Sequence, residues 1–388
     1  MNILCLDQFG ELGGAQRCLL DEIPAMIGRG WSVHVAAPGK GQLAERAAAM
    51  GATFDAIRCG PYSSGSKTVA DMARFAAEMP RLARAIRGLI SRYDADLIYV
   101  NGPRLLPAVA VSVANGARRG PRVLFHAHSL LTGASWLLAG CSLAMARAAV
   151  VASCSFVASP LAPFCGDRGA RVVYNGVRQI SLASRTASPT QFRIGVIGRI
   201  SPEKGQADFL RAARILLSLH KGALECRFFI CGAALFADPA AMRYRAELET
   251  LAEGLPVEFA GWTEDVEGVL ARLDLLVVPS TAIDATPRVI LEAFAAGVPV
   301  VAFASGGIPE IVKDGVTGFL VEERSAKALA SAMLELLREP ERLREAADRA
   351  REKARGEFSL KRYGAEMIEA IEAAAGNWRA GKESCPTG

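Results

Sequence analysis

The sequence predicts an α/β protein with two domains, each built on a mostly parallel sheet. Its 388 residues exceed the length of one ordinary domain. A hydrophobic fraction of 51% with 22% charged residues is typical of a soluble globular protein. In both halves, short apolar runs of the kind found in strands buried on both faces alternate with helical patterns. This alternation predicts two successive parallel sheets covered by helices.

The first half opens with a strand, a glycine-rich loop and a helix. The apolar run 2–6 predicts the strand, and a helix follows the loop from about Ala15 to Arg29. This order opens a Rossmann-like unit. Gly13 and Gly14 lack the spacing of the dinucleotide fingerprint, so a tight turn explains them as well as a ligand does. The runs that continue this sheet are 33–37, 96–100, 123–127 and 149–152.

A stretch between the two halves has the composition of a linker. Residues 178–191 are rich in Ser, Thr and Pro and show no apolar periodicity. The apolar strand pattern then restarts, and from residue 325 the chain is helical and charged. The runs that predict the second sheet are 193–198, 227–231, 257–260, 275–278, 300–303 and 319–321.

The charge is unevenly distributed between the halves. Residues 1–178 hold 19 Lys and Arg against 11 Asp and Glu, a net charge of +8, whereas the remainder holds 26 against 29, a net charge of −3. The basic first half favours an anionic surface or an anionic acceptor. Much of this charge lies on one amphipathic helix, predicted to be bent or broken near Pro80. Its cations are Lys67, Arg74, Arg81, Arg84, Arg87 and Arg92.

Two interpretations of this basic helix remain open. Its apolar face, which includes Met72, Ala76 and Leu82, can pack into the core and leave the arginines in solvent. The helix can also dock on an anionic membrane, and both can hold together.

The cysteines and the N-terminus indicate a cytoplasmic protein. The nine cysteines are odd in number and lack C-x-x-C spacing, so we expect reduced thiols. The chain starts directly in a strand, and no signal peptide is expected. The most apolar stretch, 130–152, is interrupted by polar residues and glycines, which favours a helix plus a strand over a membrane span.

The stretch 275–297 carries the most informative pattern. An apolar strand at 275–278 leads into a loop with Asp284, and a helix with Glu292 follows and ends at Gly297. Pro287 suits the first turn of this helix. A helix N-terminus favours a phosphate, whereas carboxylates beside it are suited to accept hydrogen bonds from sugar hydroxyls. A diphosphate flanked by hydroxyl-rich rings, as in a nucleotide sugar, fits this arrangement.

These residues resemble a known enzyme family. Asp284-x7-Glu292 is similar to the E-x7-E signature of the retaining family 4 glycosyltransferases, and 198–205 (GRISPEKG) is similar to their GR-xxx-KG loop. The turn 174–177 (YNGV) and the loop 13–15 (GGA) match two further motifs in the same order. Two positions depart from the pattern: the first acid is Asp284 rather than Glu, and Pro287 replaces a glycine and lacks a backbone N–H.

The resemblance implies the GT-B fold, in which two Rossmann-like domains face each other across a cleft. It implies an N-terminal acceptor-binding domain at 1–178, a linker at 179–191 and a nucleotide-sugar-binding domain at 192–360. It also implies that the helix at 361–376 crosses back to the first domain, with a tail at 377–388. The implied function is transfer of a sugar, with retention of configuration, from a nucleotide-diphosphate sugar to a hydroxyl of a glycan or a lipid-linked acceptor.

The resemblance also assigns roles to single residues. Arg199 and Lys204 are expected to hold the donor diphosphate, although cations at the start of a helix are often only solvated. Glu292 is expected to bind the ribose and Asp284 the donor sugar. The residues expected to act in catalysis are Asp284, Glu292, His128, Arg199 and Lys204. The residues expected to bind the donor are Gly13, Gly14, Arg199, Lys204, Thr286, Pro287, Arg288, Val289 and Glu292.

Two histidines end the strand at 123–127. The carboxyl end of a parallel strand faces the ligand in such sheets, and the family places a histidine there near the reacting sugar. We choose His128 for this role over His126, although one of the two rings can simply cap the strand. The two rings are expected on opposite faces of the strand, where they do not share a metal.

We expect neither a metal nor another cofactor. Asp94-Ala95-Asp96 imitates the D-x-D metal motif of another glycosyltransferase fold, but acids that precede a strand are usual and the stretch offers few ligands. The expected partners are the nucleotide sugar, the acceptor and an anionic membrane on its inner face, without nucleic acid. The pathway expected is synthesis of a surface polysaccharide or a glycolipid.

Two other functions stay open from the sequence. Asp284 and Pro287 also suit a nucleotide-sugar-binding partner subunit with weak catalysis. A nicotinamide-dependent oxidoreductase is a third interpretation, against which the missing G-x-G-x-x-G fingerprint counts.

Overall fold

The protein, described by a computed structural model, forms two compact units. The structure describes residues 1–60, 69–114, 120–166, 169–180, 191–220, 225–233 and 239–376. Unit 1 comprises Met1–Gly176 together with the chain from Leu360, and unit 2 comprises Val177–Ser359. Most of the predicted linker, the predicted tail and Lys67 lie outside the described residues.

Unit 1 is a parallel sheet of seven strands with helices between them. The strand order is β3-β2-β1-β4-β5-β6-β7, and every pair is parallel. Its elements up to β7 are β1 Asn2–Asp7, α1 Gly14–Gly28, β2 Ser32–Pro38, α2 Gln42–Ala49, β3 Thr53–Ile57, α3 Val69–Tyr93, β4 Leu97–Asn101, α4 Leu106–Ala114, β5 Arg122–Ala127, α5 Gly133–Ala146, β6 Ala149–Ala152, α6 Ser155–Ala158 and β7 Ala170–Val172.

Two strands at the sheet edges carry no sequence signal of the kind used above. In β3 only Ile57 is buried, and β7 has three residues with no fully buried side chain. A long, doubly buried apolar run marks a central parallel strand, and edge strands lack it. These two edge strands of the unit 1 sheet, β3 and β7, were therefore missing from the prediction.

The basic helix α3 differs from the prediction in two respects. It runs unbroken from Val69 to Tyr93 with Pro80 inside it, so of the two predicted alternatives, a bend or a break, the break is absent. Its C-terminal half buries Leu82 and Ile86, whereas Met72 is 53% exposed. The predicted apolar face is therefore buried only in the second half of the helix.

Unit 2 is a parallel sheet of six strands in the order β10-β9-β8-β11-β12-β13. Its core lies between the sheet and the helices packed on it and includes Phe209, Phe228 and Met333. Its elements are β8 Gln191–Ile197, α7 Gln206–His220, β9 Glu225–Cys231, α8 Pro239–Ala252, β10 Val257–Gly261, α9 Val266–Leu270, β11 Leu275–Val278, α10 Arg288–Ala296, β12 Val300–Phe303, α11 Ile308–Ile311, β13 Phe319–Val321, α12 Ala326–Arg338 and α13 Pro340–Gly356.

The last helix, α14 Leu360–Ala375, belongs to unit 1 and packs on α1. Met367 and Ile371 are buried in the core that α1 and the sheet share. The Tyr363 hydroxyl donates a hydrogen bond to the buried Glu22 of α1. Burial of a full apolar face and one buried polar contact together fix the helix against its partner.

Asp96, the second acid of the stretch Asp94-Ala95-Asp96 that resembles a D-x-D motif, has a structural role. Its Oδ2 accepts a hydrogen bond of 2.8 Å from the Asn2 backbone N–H, which aligns the start of β1 beside β4. The acid therefore satisfies a backbone donor at the start of the sheet.

Candidate functional site

In unit 2, two loops meet where the strand order of the sheet reverses. From β8 the chain proceeds to β9 and β10 on one side, and β11 then pairs with the other side of β8. At such a point the connections that follow neighbouring strands run to opposite sides of the sheet. They leave a crevice at the carboxyl edge, where open α/β sheets bind ligands. The loop after β8 carries Arg199 and Lys204, and the loop after β11 carries Asp284.

An ion pair joins these loops. Lys204 Nζ lies 2.5 Å from Asp284 Oδ2, and the Ser280 hydroxyl donates to the same oxygen at 3.1 Å. The two side chains of the pair are 30% and 18% exposed, so solvent reaches both. Lys204, expected to bind the phosphate, and Asp284, expected to bind the sugar, are 80 residues apart in sequence and are thus in direct contact.

Arg199 forms a second ion pair within the first loop. Its guanidinium donates to Glu203, and its backbone carbonyl accepts a hydrogen bond of 2.8 Å from the Gln206 side chain. The guanidinium is 30% exposed. Two cations therefore lie five residues apart on one loop at the carboxyl edge of the sheet, each held by a carboxylate.

Glycines permit the close approach of these loops. At Gly205, which has a φ of +70°, an added Cβ would lie 1.8 Å from the Pro279 carbonyl oxygen. Gly306 approaches Asp284 similarly, since a Cβ there would lie 2.1 Å from the Asp284 carbonyl oxygen. The Gly307 N–H donates to that oxygen at 2.9 Å. Asp284 is thus held from both its side chain and its backbone.

Helix α10 begins immediately after this loop. Pro287 is its N-cap rather than a residue of its first turn, with a φ of −59° and a ψ of 113°. The proline removes one N–H, but the helix starts with those of Arg288 and Val289. Glu292 lies one turn further along, with Arg288 Nε 3.8 Å from its Oε1, and both side chains are 15% exposed. Thr286 is buried beside the N-cap.

In unit 1, a polar cluster lies at the carboxyl ends of β1, β4 and β5. Asp7 and Asn101, the last residues of neighbouring strands, are both buried, and Asn101 Nδ2 lies 2.5 Å from Asp7 Oδ2. Asn101 Oδ1 lies 2.6 Å from Nε2 of His128. Burial raises the pKa of Asp7 to about 6, although hydrogen bonds from Phe9, Asn101, Gln16 and Gln8 lower it in part. This carboxyl edge is thus lined by hydrogen-bonded polar groups.

The N-terminal glycines border the same cluster. Gly13 is the N-cap of α1, and its N–H donates to the Gln16 side chain at 3.0 Å. Gly14 starts the helix, and a Cβ there would meet no atom within 4 Å. Gly13 has an extended backbone, with a φ of −119° and a ψ of −168°, and a role in donor binding stays a prediction for both glycines.

The prediction that the two histidine rings face opposite sides of the strand is wrong. His126 and His128 are two residues apart, and side chains with that spacing share a face. Their ring centroids lie 3.9 Å apart. His126 is fully buried beneath the partly exposed His128. Among the described residues, no group of three or more His, Cys, Asp or Glu is arranged to hold a metal ion.

A second buried cluster was missed from the sequence. Glu22 Oε1 accepts hydrogen bonds from the hydroxyls of Tyr99 (3.1 Å) and Tyr363, and Tyr99 also contacts His126 Nδ1 at 2.5 Å. Burial raises the pKa of Glu22 to about 8, against the lowering effect of both tyrosines. Burial lowers the pKa of His126 to about 3. At neutral pH the cluster therefore holds a neutral acid and a neutral imidazole.

The two halves of the chain match known sequence families. Residues 191–339 match the family described as "Glycosyl transferases group 1", and residues 12–179 match the family described as "Glycosyltransferase Family 4". Both families are described as glycosyltransferases, and together their matches cover most of the chain. The match to the first family includes Lys204 and Asp284, and the match to the second includes Asn101 and His128 but not Asp7.

Two relatives illustrate where these glycosyltransferase domains occur. The GDP-mannose-dependent alpha-(1-6)-phosphatidylinositol dimannoside mannosyltransferase of Mycobacterium tuberculosis is 31% identical over 198 residues, which are 50% of this chain and 48% of the relative. The alpha-maltose-1-phosphate synthase of Mycolicibacterium smegmatis is 30% identical over 188 residues, 45% of this chain and 46% of the relative. The chain thus spans about half the length of the curated relatives it matches.

Solved structures match this chain over nearly its whole length. Anabaena HepE, solved in complex with UDP and glucose, has a TM-score of 0.78 at 24% identity and covers 96% of this chain and 100% of its own. The sucrose-phosphate synthase of Thermosynechococcus elongatus has a TM-score of 0.77 at 19% identity and covers 96% and 98%. At these identities the likeness establishes the fold, and the predicted GT-B class is confirmed.

No helix in the described ranges is both long enough and apolar enough to cross a membrane. The predicted helix and strand within 130–152 are present as α5 and β6.

Proposed function

We propose that this protein is a retaining glycosyltransferase that moves a sugar from a nucleotide-diphosphate sugar to a hydroxyl. The observation that carries the proposal is the contact of 2.5 Å between Lys204 and Asp284 at the carboxyl edge of the unit 2 sheet. It brings a cation suited to a phosphate and a carboxylate suited to a sugar hydroxyl together at the reversal point of the strand order. HepE, solved with UDP-glucose, supports a nucleotide sugar as the donor.

In this proposal the unit 2 residues divide the donor between them. Arg199 and Lys204 bind the diphosphate, together with the N-terminus of α10 at 286–289. Asp284 accepts a hydrogen bond from the donor sugar, and Glu292 accepts one from the ribose. The Arg288 guanidinium lies beside that carboxylate, with Nε 3.8 Å from Glu292 Oε1.

In the reaction, the bond between the sugar C1 and the phosphate oxygen breaks and a bond from C1 to the acceptor oxygen forms on the same face. The acceptor proton passes to the leaving phosphate, so no separate protein base is needed. Negative charge grows on the leaving diphosphate, and the cations at 199 and 204 stabilise it more in the transition state than in the ground state. The same cations make a bound metal unnecessary in this proposal.

The test is a pair of changes at Asp284. Asp284→Asn keeps the shape but offers a neutral amide to both Lys204 and the sugar, and we expect transfer to fall by a factor equivalent to about 1.5 to 3 kcal/mol. Asp284→Glu restores the family's residue, and we expect it to keep measurable turnover or to change the preferred sugar. Asp208→Asn, which removes another partly exposed, ion-paired acid of unit 2, is the control.

Steady-state kinetics with the best-binding donor, selected from a panel of nucleotide sugars by calorimetric titration, measures these effects. Wild-type transfer rates in both Asp284→Asn and Asp284→Ala would refute the role of the carboxylate. Tight donor binding without turnover in the wild type, with transfer gained in Asp284→Glu, would favour a binding subunit instead.

We further propose that the acceptor is a glycan or a lipid-linked molecule met at an anionic membrane surface, in synthesis of a polysaccharide or a glycolipid. Helix α5 turns an apolar stripe outward: Leu137, Leu138 and Met145 are 55%, 46% and 50% exposed. Helix α4 lies between α5 and α3 and contacts both. An apolar stripe one helix away from a basic helix suits the interface of an anionic bilayer. The exposed cations of α3 are Arg74, Arg81, Arg84, Arg87 and Arg92.

Vesicle sedimentation tests the membrane proposal. We expect binding to vesicles with anionic lipid that weakens as salt rises, and a loss of binding on Leu137→Ser with Leu138→Ser. Met242→Ser changes an equally exposed apolar side chain of unit 2 and should leave binding unchanged. Equal binding to neutral vesicles, or full binding by the double variant, would contradict the proposal that α5 and α3 bind an anionic membrane.

A further inference from the structure

The orientation of Gln16 at the carboxyl edge of the unit 1 sheet is fixed by a backbone group. The Gly13 N–H can only donate, and it lies 3.0 Å from Gln16 Oε1. Gln16 Nε2 therefore points to Asp7 Oδ1, 2.7 Å away. The Phe9 N–H donates to the same oxygen at 2.9 Å. Because Oδ1 receives two N–H donors, it carries no proton.

The orientation of Asn101 is fixed in the same way from its other side. Its amide nitrogen lies 3.1 Å from the Ala15 carbonyl oxygen, which can only accept, and 2.5 Å from Asp7 Oδ2. A flipped amide would bring its oxygen against two acceptors. Asn101 Oδ1 must therefore face His128 Nε2, at 2.6 Å, and a carbonyl oxygen there needs a donor.

We infer that Asp7 and Asn101 are positioning residues that hold the His128 ring with its proton on Nε2 and with Nδ1 as its acceptor. The Gly13 N–H and the Ala15 carbonyl, two backbone groups after β1, fix the orientations in this chain of hydrogen bonds. The position of the His128 proton is therefore inferred without reference to a solvent-exposed group. The buried His126 ring, 3.9 Å away between centroids, supports His128 from below.

The consequence for a ligand rests on the proposed function. A sugar hydroxyl that donates to this ring meets Nδ1, because Nε2 is committed to Asn101. A ring with one fixed acceptor distinguishes a donating hydroxyl from an acceptor group such as a carbonyl oxygen. The fixed assignment itself belongs to unit 1 alone and does not need the reaction.

Nitrogen NMR of the imidazoles tests the assignment directly. The chain has four histidines, so ¹⁵N-histidine labelling gives few signals, and His128→Gln assigns the ring of interest. At pH 8, where an ordinary imidazole is neutral, we expect the proton of the wild-type His128 ring on Nε2. A proton on Nδ1 in the wild type would overturn the inference without any further variant.

Asp7→Asn tests the transmission from Asp7 to the ring. Its oxygen must still face Phe9 and Gln16, so its new NH₂ group faces the Asn101 nitrogen, and two donors meet. Rotation of the Asn101 amide relieves that clash and presents a donor to His128, and it gives up the longer hydrogen bond of 3.1 Å to the Ala15 carbonyl oxygen in exchange for a shorter one from residue 7. We expect the proton of the His128 ring to move to Nδ1. Tyr99→Phe, an equally conservative change that touches His126 instead, should leave the His128 signals unchanged. An unchanged His128 tautomer in a folded Asp7→Asn protein would also overturn the inference.

Kinetics separates this positioning role from a structural one. With the donor selected above, we expect Asp7→Asn to lower kcat about tenfold, and by less than about twofold in a His128→Gln background, because the effect acts through the ring. Equal losses in both backgrounds would show that Asp7 only maintains the fold. If no turnover is found at all, the proposed function fails while the NMR result still decides the tautomer.

Discussion

The buried acid Glu22 gives the protein an unusual pH dependence that one isosteric change removes. The pKa of Glu22 is raised from the 4.5 of an ordinary glutamate to about 8, chiefly by burial. Between these values the folded state keeps the proton while the unfolded state loses it, so this group lowers the free energy of unfolding as pH rises. Glu22→Gln keeps an oxygen that accepts from Tyr99 and Tyr363 but cannot ionise.

The magnitude follows from the pKa difference. Between pH 5.5 and pH 8, ionisation of Glu22 in the unfolded chain lowers the free energy of unfolding of the wild type by ~3 kcal/mol, given a folded-state pKa of about 8. The free energy of unfolding of Glu22→Gln does not fall in this way, because the amide does not ionise. The amide nitrogen replaces Oε2, which has no hydrogen-bond partner among the described residues. The resulting penalty of ~1–3 kcal/mol is the same at both pH values. The stability difference between variant and wild type should therefore shift by ~3 kcal/mol in favour of the variant.

Hydrogen exchange measures this change in the stability difference in unit 1 alone. Exchange of the α1 and β4 amides, followed by mass spectrometry at the two pH values, reports the free energy of opening of the core around Glu22. Glu372→Gln changes an exposed acid of α14, paired with Arg29 at 2.8 Å, and should show no such shift. A shift below about 1 kcal/mol in Glu22→Gln would refute the view that Glu22 is neutral in the folded protein.

Three further changes test the unit 2 site. Gly205→Ala should destabilise unit 2 by more than about 2 kcal/mol in denaturant unfolding and weaken UDP binding, because its Cβ would lie 1.8 Å from the Pro279 oxygen; Gly254→Ala, with a similar φ of +73° and no atom within 4 Å, should lose only about 1 kcal/mol, and equal losses would show that the loop contact is unimportant. Arg199→Ala and Lys204→Ala should each lower kcat about a hundredfold in steady-state kinetics, whereas a change in KM alone would make these cations uniform binders. Transfer should continue after chelation with EDTA, and complete loss restored by Mg²⁺ or Mn²⁺ would contradict the metal-independent mechanism.

The central strands and the unit 2 loops were predictable because their signals are local. The doubly buried run at 275–278 predicts β11 as the structure has it, and the spacing from Asp284 to Glu292 locates the start of α10. That Lys204 touches Asp284 is a consequence of strand order, which no local pattern contains. Only the resemblance to a family associated these residues in advance.

The unit 1 clusters show what local patterns miss. Asp7 and Asn101 each end a predicted strand, and polar residues at the carboxyl ends of parallel strands were a usable signal that we applied only to the histidines. Glu22 has no such signal, since an acid on a helix is usually exposed. Its burial depends on Tyr363, 341 residues away, whose contact follows from the packing of α14 on α1.

The configuration of the transferred sugar tests the central claim most directly. The enzyme should be given its tightest-binding nucleotide α-sugar with a simple alcohol or its acceptor, and the first-formed product should be followed by proton NMR, in which the anomeric coupling distinguishes α from β. A retaining glycosyltransferase gives the α-product first, at a rate that Lys204→Ala lowers about a hundredfold. A β-product, or no product from a tightly bound donor, would contradict the account.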